Sequence, residues 1–162
     1  MALHRQHDQP SAPTRVRRKR GAQSHAIGRS RGGLSTKVHL IVDALGTPLC
    51  FAITEGQRHD CLSAVALLQK AQSKCLLGDK AYDSDSIRAA VVDQGGVAVI
   101  PPTRSRSRKV AYDKEIYKAR SDIECSFSLL KQARRFATRY EKTLRNYTAV
   151  VALGCALIWL RV

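Results

Sequence analysis

YDKEIYKARSDIECSFSLLKQARR, from Tyr112 to Arg135, is the stretch on which the reading of the whole chain turns. With about 100° between successive residues of an α-helix, Tyr117, Arg120, Glu124 and Lys131 fall within a wedge of roughly 60°. Ile116, Ala119, Ile123, Phe127 and Leu130 gather about a quarter-turn away, the apolar stripe of a helix packed on something larger. One face docks, and its neighbour presents a carboxylate among cations. Spacing alone leaves two readings open: ion pairs along an exposed helix surface, each contributing little, or a stripe with a function.

Upstream, TRSRSRK (Thr103 to Lys109) is a loop of four cations without an apolar residue. Before it, VAVIPP reads as a strand closed by Pro101 and Pro102. SDSIRAAVVDQGG reads as a helix capped by Ser84 or Asp85 and stopped at Gly95-Gly96. Cys75 to Leu77 form a short apolar strand that ends at Gly78-Asp79-Lys80. A carboxylate just past the carboxyl end of a buried strand sits where open α/β sheets place ligands, although Asp is also an ordinary turn or capping residue. CLSAVALLQKA is a further helix, with Asp60 as its candidate cap, preceded by the polar loop GQRHD. KVHLIVDA and LCFAITEG around Leu45-Gly46-Thr47-Pro48 make an antiparallel hairpin. Downstream of the long helix come FATRYEKTLRNY and an apolar helix from about Asn146 to Leu160. The order hairpin, helix, strand, helix, strand, helix, helix predicts an α/β sandwich with a mixed sheet.

Residues 1–36 differ in kind. Pro10, Pro13, the cluster Arg15, Arg17, Arg18, Lys19, Arg20, and then GRSRGG with Arg29 and Arg31 offer too little apolar surface to offset chain entropy. A largely unstructured basic arm is expected there, with 37–162 as the folded domain. The arm is either a solvated tail or a segment that orders on a phosphate backbone. GGLSTK lacks the G-K-[ST] ending of a phosphate-binding loop.

Charge supports a polyanion partner. Twenty-eight Lys and Arg against 13 Asp and Glu give +15, a balance that favours nucleic acid over a membrane surface and predicts steeply salt-dependent binding. Five cysteines without a C-x-x-C pair read as reduced, mostly buried thiols rather than a zinc site. His4 and His7 have no cysteine near them in sequence and are not promoted to ligands. No secretory leader is recognisable, and the run from Ala149 to Leu160 falls short of the ~20 residues of a membrane span.

Tyr117-x2-Arg120-x3-Glu124-x6-Lys131 resembles the Y-R-E-K signature of bacterial insertion-sequence transposases of the DDE class. GRSRGGLSTKVHLIVDALGTPL, TEGQRHD, LLGDKAYDSD, AVIPP and RYEKTLRNY are similar, in the same order, to the group related to insertion sequence five. The likeness runs from about residue 28 to the C-terminus. It implies an RNase H-like fold and a catalytic Asp-Asp-Glu triad, with Asp79 as the second aspartate and Glu124 as the glutamate. Both would be metal ligands for Mg²⁺ or Mn²⁺, in a two-metal site in the complete enzyme. Tyr117, Arg120 and Lys131 match the supporting positions, where Arg120 and Lys131 would meet DNA phosphate. Arg104, Arg106 and Arg108 join the arm as DNA-contacting cations.

The resemblance places the family's first aspartate on a strand upstream of the arm, and no such strand ending in Asp is legible here. Asp8 lies in polar sequence beside Pro10, and Asp43 belongs to the hairpin turn. The expectation is therefore an incomplete RNase H-like sheet without its central first strand, the downstream part of a split or truncated transposase. Its partners would be double-stranded DNA at element ends, and an upstream-frame product or full-length transposase. No membrane partner is expected, and the setting would be a bacterial cytoplasm. The alternative is a catalytically inactive DNA-binding remnant or transposition inhibitor. A basic RNA- or ribosome-associated protein is the third reading, opposed by the lack of an aromatic RNA-stacking motif on any strand.

Overall fold

The computed structural model describes residues 1–5, 9–10, 25–30, 33–132 and 134–161. Arg15, Arg17, Arg18, Lys19, Arg20 and Arg31 lie outside the described residues. Three short strands come first: β1 (Ala2–Arg5), β2 (Gln9–Pro10) and β3 (Gly28–Ser30). The hairpin follows as β4 (Gly33–Val42) and β5 (Pro48–Glu55), paired antiparallel from Thr36↔Glu55 to Val42↔Pro48. Its turn is fixed by Asp43, whose Oδ1 accepts from the N–H groups of Leu45 at 2.9 Å and Thr47 at 2.8 Å. Gly46 takes φ 80° there, backbone that glycine adopts without a Cβ penalty. Asp43 is thus a turn residue, as read.

Then come α1 (Asp60–Leu68), β6 (Cys75–Gly78), a single 3₁₀ turn at Lys80–Tyr82, α2 (Asp85–Asp93) and β7 (Val97–Val99). The α2–β7 turn needs glycine: a Cβ on Gly96 would lie 2.3 Å from the carbonyl oxygen of Ser73. Asp60 does not cap α1 as expected. It is the first helical residue, and its buried carboxylate takes the ammonium of Lys37 at 3.1 Å.

The sheet runs β5–β4–β1–β6–β7. β1 pairs antiparallel with β4, from Ala2↔Val42 to Arg5↔His39, and parallel with β6 through Ala2↔Leu77 and Leu3↔Gly78. The expected vacancy between the hairpin and the Asp79 strand is therefore corrected: Ala2–Arg5 occupies it. The physical reason is backbone satisfaction, since two facing rows of buried N–H and C=O groups would each cost ~1–3 kcal/mol unpaired. Strands also reach into the stretch read as an unstructured arm, because β3 pairs with β4 from Gly28↔Ser35 to Ser30↔Gly33.

Alternation along β4 divides the core. Val38, Leu40 and Val42 face one side with Leu77, Val99, Phe127, Leu130, Phe136, Tyr147 and Val151; Ile41 faces the other with Leu76 and the buried residues of α1 and α2. The long helix expected over 112–135 is broken into α3 (Lys114–Lys118), α4 (Arg120–Gln132) and α5 (Arg134–Ala137). Asp113 delays its start by accepting from the N–H groups of Glu115 and Ile116. A tight turn at Ala119, whose N–H reaches back to Ile116 O, divides α3 from α4. Only the later part of the predicted apolar stripe docks. Phe127 and Leu130 are buried, whereas Ile116 and Ala119 are exposed. The closing helix α6 (Leu144–Trp159) packs on the same sheet face, capped by Thr143.

Candidate active site

Asp79 stands one residue past β6, still in extended backbone at φ −77° and ψ 170°. Its half-buried carboxylate accepts from the N–H of Ala81 at 2.7 Å and so caps the 3₁₀ turn. The capping and functional readings of this residue are compatible, because one carboxylate has lone pairs for both. β1, β6 and β7 run parallel, so their carboxyl ends share the rim on which Asp79 sits.

The signature residues of the helix are brought together. Arg120 donates from Nη2 to Glu124 Oε1 at 2.6 Å and from Nη1 to Tyr117 Oη at 3.0 Å. Its guanidinium carbon lies 5.7 Å from the centroid of the Tyr117 ring, which meets Tyr112 edge-on at 5.5 Å. The Glu124 side chain is 51% exposed, and Arg120 Nε is buried without an acceptor among the described residues. The pairs-on-a-surface reading of this stripe is thus right about Arg120 and Glu124 in geometry. Lys131 stands exposed in the last turn of α4, two turns further on from Glu124.

Among the described residues, Asp79 and Glu124 share no hydrogen-bond partner. Leu77, two residues before Asp79, shares an apolar cluster with Phe127, one turn after Glu124. A sequence neighbour of each acid therefore lies in the one core cluster that β4, α4 and α6 share. As donors they suit a hard divalent ion in kind, being carboxylate oxygens. In number they fall short: among the described residues no three His, Cys, Asp or Glu side chains gather as metal ligands.

The predicted basic loop splits in two. Arg104 and Arg108 are exposed, as is Arg29 on β3. Arg106 is instead bound inward, its Nη1 3.1 Å from Asp83 Oδ1 and its Nη2 on Asp85. Asp83 is fully buried and also takes Arg88 at 2.9 Å and the N–H of Thr103 at 2.7 Å. Burial alone would raise the pKa of its carboxyl; the Thr103 N–H, Arg88 and Arg106 together outweigh burial and hold it below the usual value. Arg106 is thus engaged by two carboxylates, unlike the exposed Arg104 and Arg108 of the same loop.

Sequence reasoning missed Asp83 and the role of Arg139. Arg139 is 1% exposed; it donates to the carbonyls of His25 at 2.6 Å, Ala26 at 3.1 Å and Glu141 at 3.0 Å, and to Thr36 Oγ1 at 2.5 Å. Its guanidinium stacks 4.8 Å from the Tyr147 ring centroid. Burial lowers its pKa and raises that of Tyr147. The only signal in sequence was an arginine followed eight residues later by a tyrosine in otherwise polar RYEKTLRNY, which any surface segment could show.

The architecture is thus a mixed α/β sheet with one acid on its strand-end rim and another on a covering helix. The family described as Transposase DDE domain matches residues 4–159. A Brucella ovis protein named as a transposase for insertion sequence element IS6501 is 41% identical over 130 residues, covering 79% of this chain and all of that protein. A Burkholderia cepacia protein named as a transposase for insertion sequence element IS402 is 28% identical over 142 residues, covering 80% of this chain and 64% of that protein. The chain belongs to the DDE transposase family of bacterial insertion sequences. Among the described residues, no helix is long and apolar enough to cross a membrane.

Proposed function

We propose that this chain supplies Asp79 and Glu124 to DNA strand cleavage and strand transfer at the ends of an insertion sequence, of the group related to insertion sequence five. The observation that carries the reading is the contact chain Tyr117–Arg120–Glu124, in which Arg120 Nη2 holds Oε1 of Glu124 and Nη1 holds the Tyr117 hydroxyl. The strand order supports an RNase H-like sheet, with β1 central, the hairpin on one side and the Asp79 strand on the other.

In this reading a third carboxylate joins Asp79 and Glu124 from outside the described residues, with an upstream-frame product or full-length transposase as its candidate source. With that acid in place the set would hold the Mg²⁺ or Mn²⁺ ions that give this chemistry its Lewis acidity. The chain's own part is to present Asp79 from a rigid strand end and to orient Glu124 through Arg120. Lys131, Arg29, Arg104 and Arg108 neutralise duplex backbone, and the cluster at 15–20 is assigned to the same task on charge alone.

The charge of +15 and the lack of a legible first aspartate motivate a second reading, a catalytically inactive DNA-binding remnant or transposition inhibitor. One experiment separates the two: the chain, fused to an upstream-frame product that supplies the first aspartate, is combined with Mg²⁺ or Mn²⁺ and a duplex carrying element ends. The first reading expects nicking that Glu124→Gln abolishes. Nicking that survives Glu124→Gln ends the assignment of Glu124, and salt-sensitive DNA binding with no cleavage favours the second reading.

A further inference from the structure

Between the start of α2 and the loop that follows β7 lies a cleft of about 770 Å³, walled by Asp85 and Arg88 on one side and by Ser105–Ala111 on the other. Four of its lining residues are cations, and their charges are not equally available. Arg88 is bound to buried Asp83 through Nε and Nη2, and Nη2 also donates to the carbonyl of Ile100 at 2.8 Å. Arg106 is divided between Asp83 and Asp85, while its Nε donates to the carbonyl of Arg108 at 3.2 Å and folds the loop back on itself. Two arginines and two aspartates thus cancel. Arg108 and Lys109 are exposed, and neither has a carboxylate partner among the described residues. Ser105 and Ser107 add hydroxyls to the same wall.

We infer that this cleft is a phosphodiester-binding subsite for duplex DNA, in which Arg108 and Lys109 neutralise the backbone. Arg106 is a positioning residue that shapes the loop without spending its charge on the ligand. The chemistry is that of a polyanion: adjacent uncompensated cations with hydroxyl donors beside them in a concave wall favour a phosphate over a neutral ligand. The location deepens the proposed function and rests on it. The loop leaves the carboxyl end of β7, and Asp83 joins it to the 3₁₀ turn that begins at Asp79, so cleft and candidate acid share one rim. A strand lying on Asp79 would thereby be held at a second point. Asp83 is the hinge of the arrangement because it fixes Thr103, Arg88 and Arg106 at once.

The test measures fluorescence anisotropy of a labelled duplex oligonucleotide against salt for the wild-type chain, Arg108→Ala/Lys109→Ala, and Lys70→Ala/Lys74→Ala. The last pair removes two exposed cations near the amino end of β6, away from the cleft. Each phosphate contact carries ~0.9 of log–log slope, about fivefold in affinity at 0.15 M salt, so the cleft variant should lose ~1.8 of slope and ~30-fold in affinity. The Lys70/Lys74 variant should match wild type, and all three should share one thermal midpoint, since the four side chains are exposed. A cleft variant that keeps the wild-type slope overturns the inference while leaving the proposed function standing. Wild-type protein with no salt-dependent duplex affinity would remove the proposed function itself. Inorganic phosphate that saturates the wild-type cleft at constant ionic strength without displacing the duplex would make this a free-phosphate site and also overturn the inference.

Discussion

Replacing Arg139 by methionine should remove a large part of the stability of the domain. The guanidinium serves four oxygen acceptors drawn from three places in the chain, His25 and Ala26, Thr36, and Glu141. Methionine fills comparable space and serves none of them. Ala26 O keeps the hydroxyl of Thr36 at 2.7 Å, so the carbonyls of His25 and Glu141 bear the loss. Each acceptor stripped of its donor costs ~1–3 kcal/mol where buried. The stack on Tyr147 adds ~0.5–2 kcal/mol. Relief from burying a charge offsets several kcal/mol of this, leaving a net destabilisation of ~3 kcal/mol. Against ~5–15 kcal/mol for an ordinary domain that is a large share. With a urea slope of ~2 kcal/mol/M the denaturation midpoint should fall by ~1.5 M at unchanged slope. Arg139→Lys should recover only part of the loss, because a single ammonium cannot match a fork aimed at four acceptors. A midpoint for Arg139→Met within ~0.3 M of wild type would refute the clamp, since by the same slope the net effect would be below ~1 kcal/mol.

The Asp83 lock predicts a pH dependence of defined sign. Its folded pKa lies below the unfolded one, so its contribution is present above the ordinary aspartate value of about 3.9 and is lost as pH falls through the folded pKa. Thermal midpoints followed from pH 7 downward should show Asp83→Asn starting lower and declining less on the acid limb; parallel curves would contradict the lock. The thiols give a second readout. Cys155 is buried and its pKa is pushed up to about 11, and burial raises that of Cys50 although Lys70 opposes it. In Ellman titration of the native protein at pH 8, Cys155 should react only on unfolding, and a Cys155→Ala variant should lack that slowest phase. Rapid native labelling of Cys155 would show that α6 does not stay docked.

Much of the fold was legible because its signals are local. The hairpin, α1, β6, α2, β7 and α6 each announce themselves by period, by apolar runs and by Gly, Pro or Asp at their ends, and each stands within a few residues of its predicted place. What local reading could not supply was pairing. ALHR has no period and little apolar content, yet it becomes the central strand because β4 and β6 both present unpaired edges to it. The single helix expected over 112–135 failed for the opposite reason. Its apolar period was real, but Asp113 caps a helix that begins only at Lys114 and the turn at Ala119 interrupts the run, with Ile116 left exposed.

The same division governs the site. Tyr117, Arg120 and Glu124 meet because helical spacing alone brings residues three and four apart together, and sequence suffices for that. Arg106 and Arg139 were counted in the sequence as free cations, yet each is committed to partners more than twenty residues away. A charge count of +15 therefore overstates what DNA can meet, and the distinction matters for binding. Cations that are already paired release no counterions on contact with phosphate and add nothing to the salt slope. The slope of the wild-type protein should accordingly follow its exposed, unpaired cations, Arg104, Arg108 and Lys109 among them, rather than its total basic content.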